Sequence, residues 1–201
     1  MRTSAIISAS LSLALAAPPL AAQAGDPARA TVDSLDDGLI AIMKAGKAVG
    51  VSGRAAKIGP VVDRAYDLPL MTRLAVGPAW TQIAPADQTA LVAAFRRLTI
   101  AQYAQNFDGW SGESFVVDPK VDARGGDKLV RTTLKPAKGD AVAISYRLRA
   151  SGGQWKIIDV YYKNAISQLA TRRSDFAAIL ASGGAKALIA HLDRLAAKPA
   201  A

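Results

Sequence analysis

Asp159 lies in the run "QWKIIDVYY" (Gln154–Tyr162), among side chains that are otherwise mostly apolar. A carboxylate in such company either does chemistry or has a partner, because burying it bare is costly. As chemistry, it is a general base in a cone-shaped α+β pocket of the isomerase or dehydratase kind, with Tyr146 or Tyr161 as the acid. As structure, it pairs with Arg147, Arg149 or Arg172, or accepts from backbone N–H groups at the start of the next helix. Arg172 and Arg173 pose a related choice: one pins Asp159 or a ligand headgroup phosphate, and the other is solvated. The single histidine, His191, stands alone between Ala190 and Leu192 and is read as structural. "GWSGES" around Ser111 has the wrong order for a nucleophile elbow. Asp36-Asp37 reads as a first-turn pair suited to a helix dipole. No carboxylate cluster has metal-ligand spacing, and no Gly-rich phosphate loop is present. The absence of cysteine excludes thiol nucleophiles and Cys-based metal sites. No residue is assigned as catalytic, and neither metal nor cofactor is expected.

These residues need a scaffold, and the composition bounds it. The chain has 201 residues, 51% hydrophobic and 20% charged, which suits one globular domain with its own core. The first 24 residues read as a leader. Arg2 forms a short basic region, an apolar stretch covers about Ala5 to Ala17, and Ala22-Gln23-Ala24 gives the small-x-small cleavage pattern. Cleavage is expected after Ala24, leaving an exported, periplasmic domain over residues 25–201. Without the leader the charge is +8, from 24 basic and 16 acidic groups. A basic surface favours phosphates; export favours lipid headgroups and transient membrane-surface contact over nucleic acid.

The elements run helices, strands, helices: a helical region over 31–107, a sheet over 114–163 and C-terminal helices over 164–197. Thr31 is expected to cap a helix with Val32, Leu35, Leu39, Ile42 and Met43 on one face. A second helix covers Ala55 to Ala65, interrupted or restarted at Pro60. Short turns follow around Pro69 and Gly77-Pro78. Pro85 opens a long helix with Leu91, Phe95, Leu98 and Gln102 on one stripe, Val92, Thr99 and Tyr103 beside it, and Arg96 and Arg97 outward. Four strands are expected, at Ser114–Asp122, Lys128–Lys135, Ala141–Arg149 and Gln154–Tyr162, with Gly-bearing turns between them. The third alternates, and the fourth reads as apolar on both faces. Two helices, about Ala165–Leu180 and Ala185–Leu195, close the chain around Gly183-Gly184. The fold class is α+β: a four-stranded curved antiparallel meander packed against helices. Its interior is either filled by side chains or left open.

Several stretches resemble one family. "YDLPLMTRLAVGPAWTQIAPADQTALVAAFRRLTIAQYAQNF", "VDARGGDKLVRTTL", "AISYRLRASGGQWKIIDVYYKNAISQLATRRSDFAAIL" and "GGAKALIAHL" are similar to the MlaC, or toluene-tolerance, family of exported phospholipid carriers. The resemblance spans about Thr31 to Leu195. The run "AISQLATRRSDF" resembles its hopanoid-associated HpnM subgroup, whereas "YYKN" at Tyr161–Asn164 is bulkier than the family's usual edge there. The resemblance implies an NTF2/cystatin-like sheet and helices enclosing an apolar cavity, a lipid ligand and no chemistry. Its implied partners are an inner-membrane lipid transporter, ABC-type or RND-type, and an outer-membrane complex. The residues expected to line the cavity are Leu70, Met71, Leu74, Phe95, Tyr103, Val142, Ile144, Tyr146, Val160, Ile166, Leu169, Phe176 and Leu180. The readings in competition with a carrier are the Asp159 enzyme and a solid-core envelope scaffold.

Overall fold

The computed structural model describes residues 25–198. The expected leader and its cleavage point lie outside the described residues, as do 199–201. Helix α1 (Pro27–Ala45) starts where Asp26 accepts from the Ala28 N–H at 2.8 Å and Pro27 fills the first helical position. The cap is therefore Asp26 and not Thr31, which lies a turn inside. The Thr31 hydroxyl donates instead to the Trp155 carbonyl at 2.8 Å and ties α1 to the sheet. Helix α2 (Gly50–Ala65) passes through Pro60 without a break and begins five residues before the expected Ala55. A Cβ on Gly38 would fall 2.8 Å from Val61 Cγ1, so that glycine lets α1 and α2 approach. Helix α3 (Leu68–Val76), capped by Asp67, leads through a 3-10 segment into α4 (Pro85–Asn106).

The sheet is antiparallel in the order β1-β2-β3-β4-β5: β1 (Ser114–Arg124), β2 (Asp127–Lys135), β3 (Val142–Ser151), β4 (Gln154–Tyr162) and β5 (Ile166–Ser167). The four expected strands form, and the two-residue β5 pairs with the end of β4. At the other end of that edge, the Asp67 N–H donates to the Ile157 carbonyl at 2.9 Å. The β4 edge is thus covered along most of its length, as a stable sheet edge requires. On the opposite edge, β1 carries Pro119 inside an irregularity between Val117 and Val121, which suits an edge strand.

β4 is not apolar on both faces. Arg147 pairs with Asp159 but Leu148 pairs with Ile157, so Ile158 is an extra residue, a β-bulge. The bulge shifts the alternation by one. Trp155, Ile157, Val160 and Tyr162 fall on the face shared with Ile144, Tyr146 and Leu148, towards the helices. Lys156, Asp159 and Tyr161 fall on the outer face. Ile158 itself is buried.

The C-terminal region forms one element, α5 (Gln168–Ala197), with a single non-helical residue, Gly184, at φ 67°. Its first half runs antiparallel to α4, pairing Arg172 with Gln102 and Phe176 with Phe95. Beyond Gly184 it returns parallel to α4, with Asp193 on Arg97 and Ala196 on Gln105. Two helices were expected with a Gly183-Gly184 break; one positive-φ glycine makes the reversal. Among the described helices α5 alone is long and apolar enough by length and composition to cross a bilayer. The reversal divides it into two pieces each shorter than the roughly 20 residues a span needs.

Arg54 ties the helices together at one end. Buried, it donates from Nε to the Ala104 carbonyl and from Nη1 to the Gly46 carbonyl, each at 2.7 Å. These are carbonyls of the last turn of α4 and the C-cap of α1, which a guanidinium satisfies while opposing both helix dipoles. Arg54→Leu is expected to destabilise the fold by about 2–4 kcal/mol, since two charge-assisted bonds vanish and the carbonyls stay buried. Urea unfolding at neutral pH measures this; a loss within about 0.5 kcal/mol would mean that Arg54 is dispensable.

Candidate functional site

Burial changes along the helix-facing side of the sheet. At the end near the β1–β2 and β3–β4 turns, Val130, Leu148 and Ile157 are 0% exposed, and Tyr146 is also buried. Here α1, α2 and α3 cover the sheet. Towards the other end the same face carries Phe115, Val117, Val142, Ile144 and Val160, and all are only half-buried. Tyr103 and Phe107 at the end of α4, ring centroids 5.9 Å apart, face this region from the helical side. Leu169 in the first turn of α5 is half-buried beside it. The result is a closed apolar cleft between sheet and helices, tightly filled at one end and only partly covered at the other, where most of these side chains pack against the core. The open apolar cavity expected from the sequence is not present among the described residues.

Buried polar groups lie among these apolar side chains. Asp36, on the apolar stripe of α1, is 4% exposed. Its Oδ2 accepts from the Thr132 hydroxyl at 3.1 Å, and its Oδ1 has no hydrogen-bond partner among the described residues. Burial pushes its carboxyl up to about 7. Thr132 Oγ1 also lies 3.3 Å from the Val116 carbonyl. One hydroxyl hydrogen cannot serve both acceptors fully. A protonated Asp36 donating to Thr132, with Thr132 donating to Val116, satisfies the chain in one direction. Tyr66 and Tyr103 share a hydrogen bond between their hydroxyls. Burial pushes the Tyr103 phenol up to about 12 and raises Tyr66 and Tyr146 as well. All three are neutral hydrogen-bonding groups at any ordinary pH.

The structure disperses part of the expected set. Met71, Phe95, Tyr146 and Phe176 are core residues, and Leu70, Tyr103, Ile144, Val160, Leu169 and Leu180 pack against that core. Val142 and Leu74 are half-buried, and Ile166 is 53% exposed on β5. The residues that gather at the less covered end of the cleft are Tyr103, Val142, Ile144, Val160 and Leu169. Phe115, Val117 and Phe107 join them without having been singled out. Phe115 and Val117 alternate along β1, a signal present in the sequence; Phe107 ends α4, where periodicity gives no guide. Asp36 is a correction. It lies in the middle of α1 rather than its first turn, and only Asp37 is exposed. The signal was its spacing, four residues after Val32 and three before Leu39, which puts a carboxylate on the apolar stripe.

Asp159 and Arg172 form no ion pair with each other. Asp159 Oδ1 accepts from the Val160 and Leu169 N–H groups at 2.8 and 3.0 Å, and Oδ2 accepts from the Ser167 hydroxyl at 2.6 Å. Both oxygens accept hydrogen bonds that fix the start of α5, so the backbone alternative holds and the carboxylate is engaged structurally. The expected arginine partners are engaged elsewhere: Arg147 and Arg149 both bind Asp127. The Arg149 guanidinium, with help from Arg147, holds the Asp127 carboxyl below the usual range. Arg172 is half-buried, its Cζ 5.1 Å from the Phe95 ring centroid and its Nη2 donating to Gln102 Oε1 at 2.8 Å. Arg173 lies against Gly77 at the end of α3. His191 is half-buried within α5. The two cavities of the described structure, about 600 and 380 Å³, open on the outer face of the sheet and share Arg131 and Asn164. They are lined by arginines and small polar groups rather than by the expected apolar set.

In the folded chain Asp36 keeps its proton over a pH range in which an unfolded aspartate, at 3.8, has lost it. Its contribution to stability is greatest below pH 4, falls as pH rises towards 7, and stays low above. Asp36→Asn is therefore expected to gain on the native protein by a few kcal/mol between pH 4 and 8. Thermal melts of both proteins across that range test this; parallel pH profiles would show that Asp36 ionises normally.

The chain matches the family model described as MlaC protein over residues 33–194. Among solved structures it is similar to a phospholipid-binding protein from Ralstonia solanacearum, determined in complex with a phospholipid. The identity is 28% and the TM-score 0.71, over 86% of this chain and 98% of that one. Among curated proteins no significant match is found. The sheet-and-helix frame and the match across most of the sequence agree, and the chain belongs to the MlaC family.

Proposed function

We propose that this protein is a periplasmic lipid carrier that shelters the apolar part of a lipid in the cleft and shuttles it between inner and outer membranes. The observation that carries this reading is the set of half-buried apolar residues, Phe115, Val117, Val142 and Ile144, at the less covered end of an otherwise tightly filled interior. Such a surface gains about 0.8 kcal/mol for each lipid CH₂ it buries, so tails bind without any covalent step. The relative solved with a phospholipid supports a lipid as the ligand class. Entry of tails requires Tyr103, Phe107 and the start of α5 to move away from β3. Asp159 and Ser167 hold that start by hydrogen bonds, which break and re-form at small net cost.

No group in the cleft is placed for acid–base chemistry. Asp159 is engaged on both oxygens and the buried phenols stay neutral, so we read the protein as a binding protein and not an enzyme. The leader over residues 1–24 supports export, and the mature charge of +8 supports work beside anionic surfaces. Among lipids we favour a rigid hopanoid over a two-chain phospholipid. The support is the "AISQLATRRSDF" likeness and an aromatic wall in which Tyr66, Tyr103 and Phe107 stand at centroid spacings of 6.2 and 5.9 Å. The partners on this reading are an inner-membrane transporter of ABC or RND type and an outer-membrane acceptor complex.

Native mass spectrometry of the protein purified from its own periplasm is expected to show a one-to-one lipid adduct, its mass separating hopanoid from phospholipid. Ile144→Trp, which fills the cleft from β3, is expected to cut the loaded fraction at least tenfold while the melting curve stays cooperative. An unloaded wild-type protein that takes up no lipid from vesicles would overturn the carrier reading.

A further inference from the structure

Among the described residues, the large apolar side chains that remain exposed are Val49, Val51, Trp110, Val116, Tyr162 and Ile166, with Leu195 at the margin. They come from five separate segments, yet all lie at one end of the molecule. Arg54 binds the α2 start, with Val49 and Val51, to the ends of α1 and α4. Trp110 follows α4 and sits under Lys44, whose Nζ is 4.9 Å from the ring centroid. Val116 opens β1, Tyr162 ends β4, and Ile166 is on β5. Gln105 near the end of α4 donates to the Ala196 and Lys198 carbonyls, which brings Leu195 to the same end. This is also the end at which the helix-facing side of the sheet is least covered.

We propose that this end is a membrane-docking surface that seats on an anionic lipid bilayer, with the cleft mouth against the lipid. The proposal rests on the carrier reading for its purpose, and its geometry stands apart from it. The apolar side chains are dispersed within a basic collar rather than joined in one flat patch. Lys44 over Trp110 and Lys163 over Tyr162, the latter at 5.8 Å, place ammonium groups beside amphipathic rings, the arrangement suited to a headgroup layer. Lys47, Lys135 and Lys138 are exposed at the same end. Against them stand Asp108, Glu113 and Asp140, so lysine is in excess and complements anionic phosphates. Lys47 is paired with Asp108 at 3.5 Å, while Lys44 and Lys163 stand over rings.

The β4–β5 loop is built to project. Lys163 and Asn164 both adopt left-handed conformations, at φ 51° and 57°, which costs a lysine in particular. Ser145 offsets the strain by donating from its hydroxyl to Asn164 Oδ1 at 2.6 Å, which holds the loop on the sheet. The result is an exposed aromatic, basic and aliphatic tip from Tyr162 to Ile166, beside the mouth where a lipid would leave.

The test is co-sedimentation of the purified protein with vesicles of phosphatidylglycerol and phosphatidylethanolamine, against vesicles of phosphatidylcholine alone, with bound lipid measured in each sample. Binding to the anionic vesicles is expected at low ionic strength, falling at least tenfold on phosphatidylcholine or in high salt. It is expected to bring a blue shift in tryptophan emission that Trp110→Phe abolishes. The double variant Tyr162→Ser/Ile166→Ser is expected to lose binding about tenfold and keep its melting temperature. Arg124→Ser, on the outer sheet face, is expected to bind as the native protein does. Absence of binding to anionic vesicles, or a double variant that binds normally, would overturn the proposal. So would binding only to native membranes that carry protein, which would assign this end to a protein partner. A protein that docks and never holds lipid would instead overturn the carrier reading while leaving the docking surface in place.

Discussion

The extra residue at Ile158 sets the geometry on which the rest of the structure depends. Without the bulge, Ile157 and Val160 would point to opposite faces of β4, and one would leave the core. With it, Ile157 seals the filled base of the interior while Val160 and Tyr162 reach its less covered end. The same shift sends Asp159 to the outer side of the strand, where it meets the incoming chain after β5. There it takes two N–H groups and the Ser167 hydroxyl, and so fixes where α5 begins. Because α5 reverses at Gly184 and flanks α4 on both passes, its starting point decides the position of the outer helical layer.

Polarity inside the cleft is arranged so that little charge has to be buried. Tyrosines supply hydrogen-bonding groups that stay neutral, and Asp36 is pushed towards neutrality by its own burial. Arg172 lies near them, drawn down from its usual range by burial, on the Phe95 face. A lipid tail meeting this base encounters dipoles and rings rather than a formal negative charge. Formal charges are paired on the surface, as in Arg96 with Asp63 and Arg97 with Asp193, where each contributes modestly. The division fits a protein whose work is to hold an apolar ligand and release it unchanged.

Much of this was legible in the residues. The α4 stripe, the β3 alternation and the Gly-bearing turns are local signals, and each produced the expected element. The structural reading of Asp159, which left arginine and backbone partners open, resolves to two backbone N–H groups and the Ser167 hydroxyl. The readings that changed all depended on distant segments. Thr31 looked like a cap until the Trp155 carbonyl, 124 positions away in the sequence, proved to be its acceptor. Asp36 looked like a surface acid because Asp37 follows it, and its burial depends on β2 arriving with Thr132.

By itself the sequence determined the α+β class, the order of the elements, the absence of thiol chemistry and the excess of positive charge. Those follow from composition and from periodicities of two and 3.6, which each segment carries within itself. Only the tertiary structure decided which apolar residues fill the base and which line the cleft. It alone gathered Trp110, Tyr162 and Ile166 at one end and turned Asp36 inward. A single hydrophobic side chain has the same pattern in either place. Its role depends on whether a helix from elsewhere in the chain covers it, and no local pattern records that.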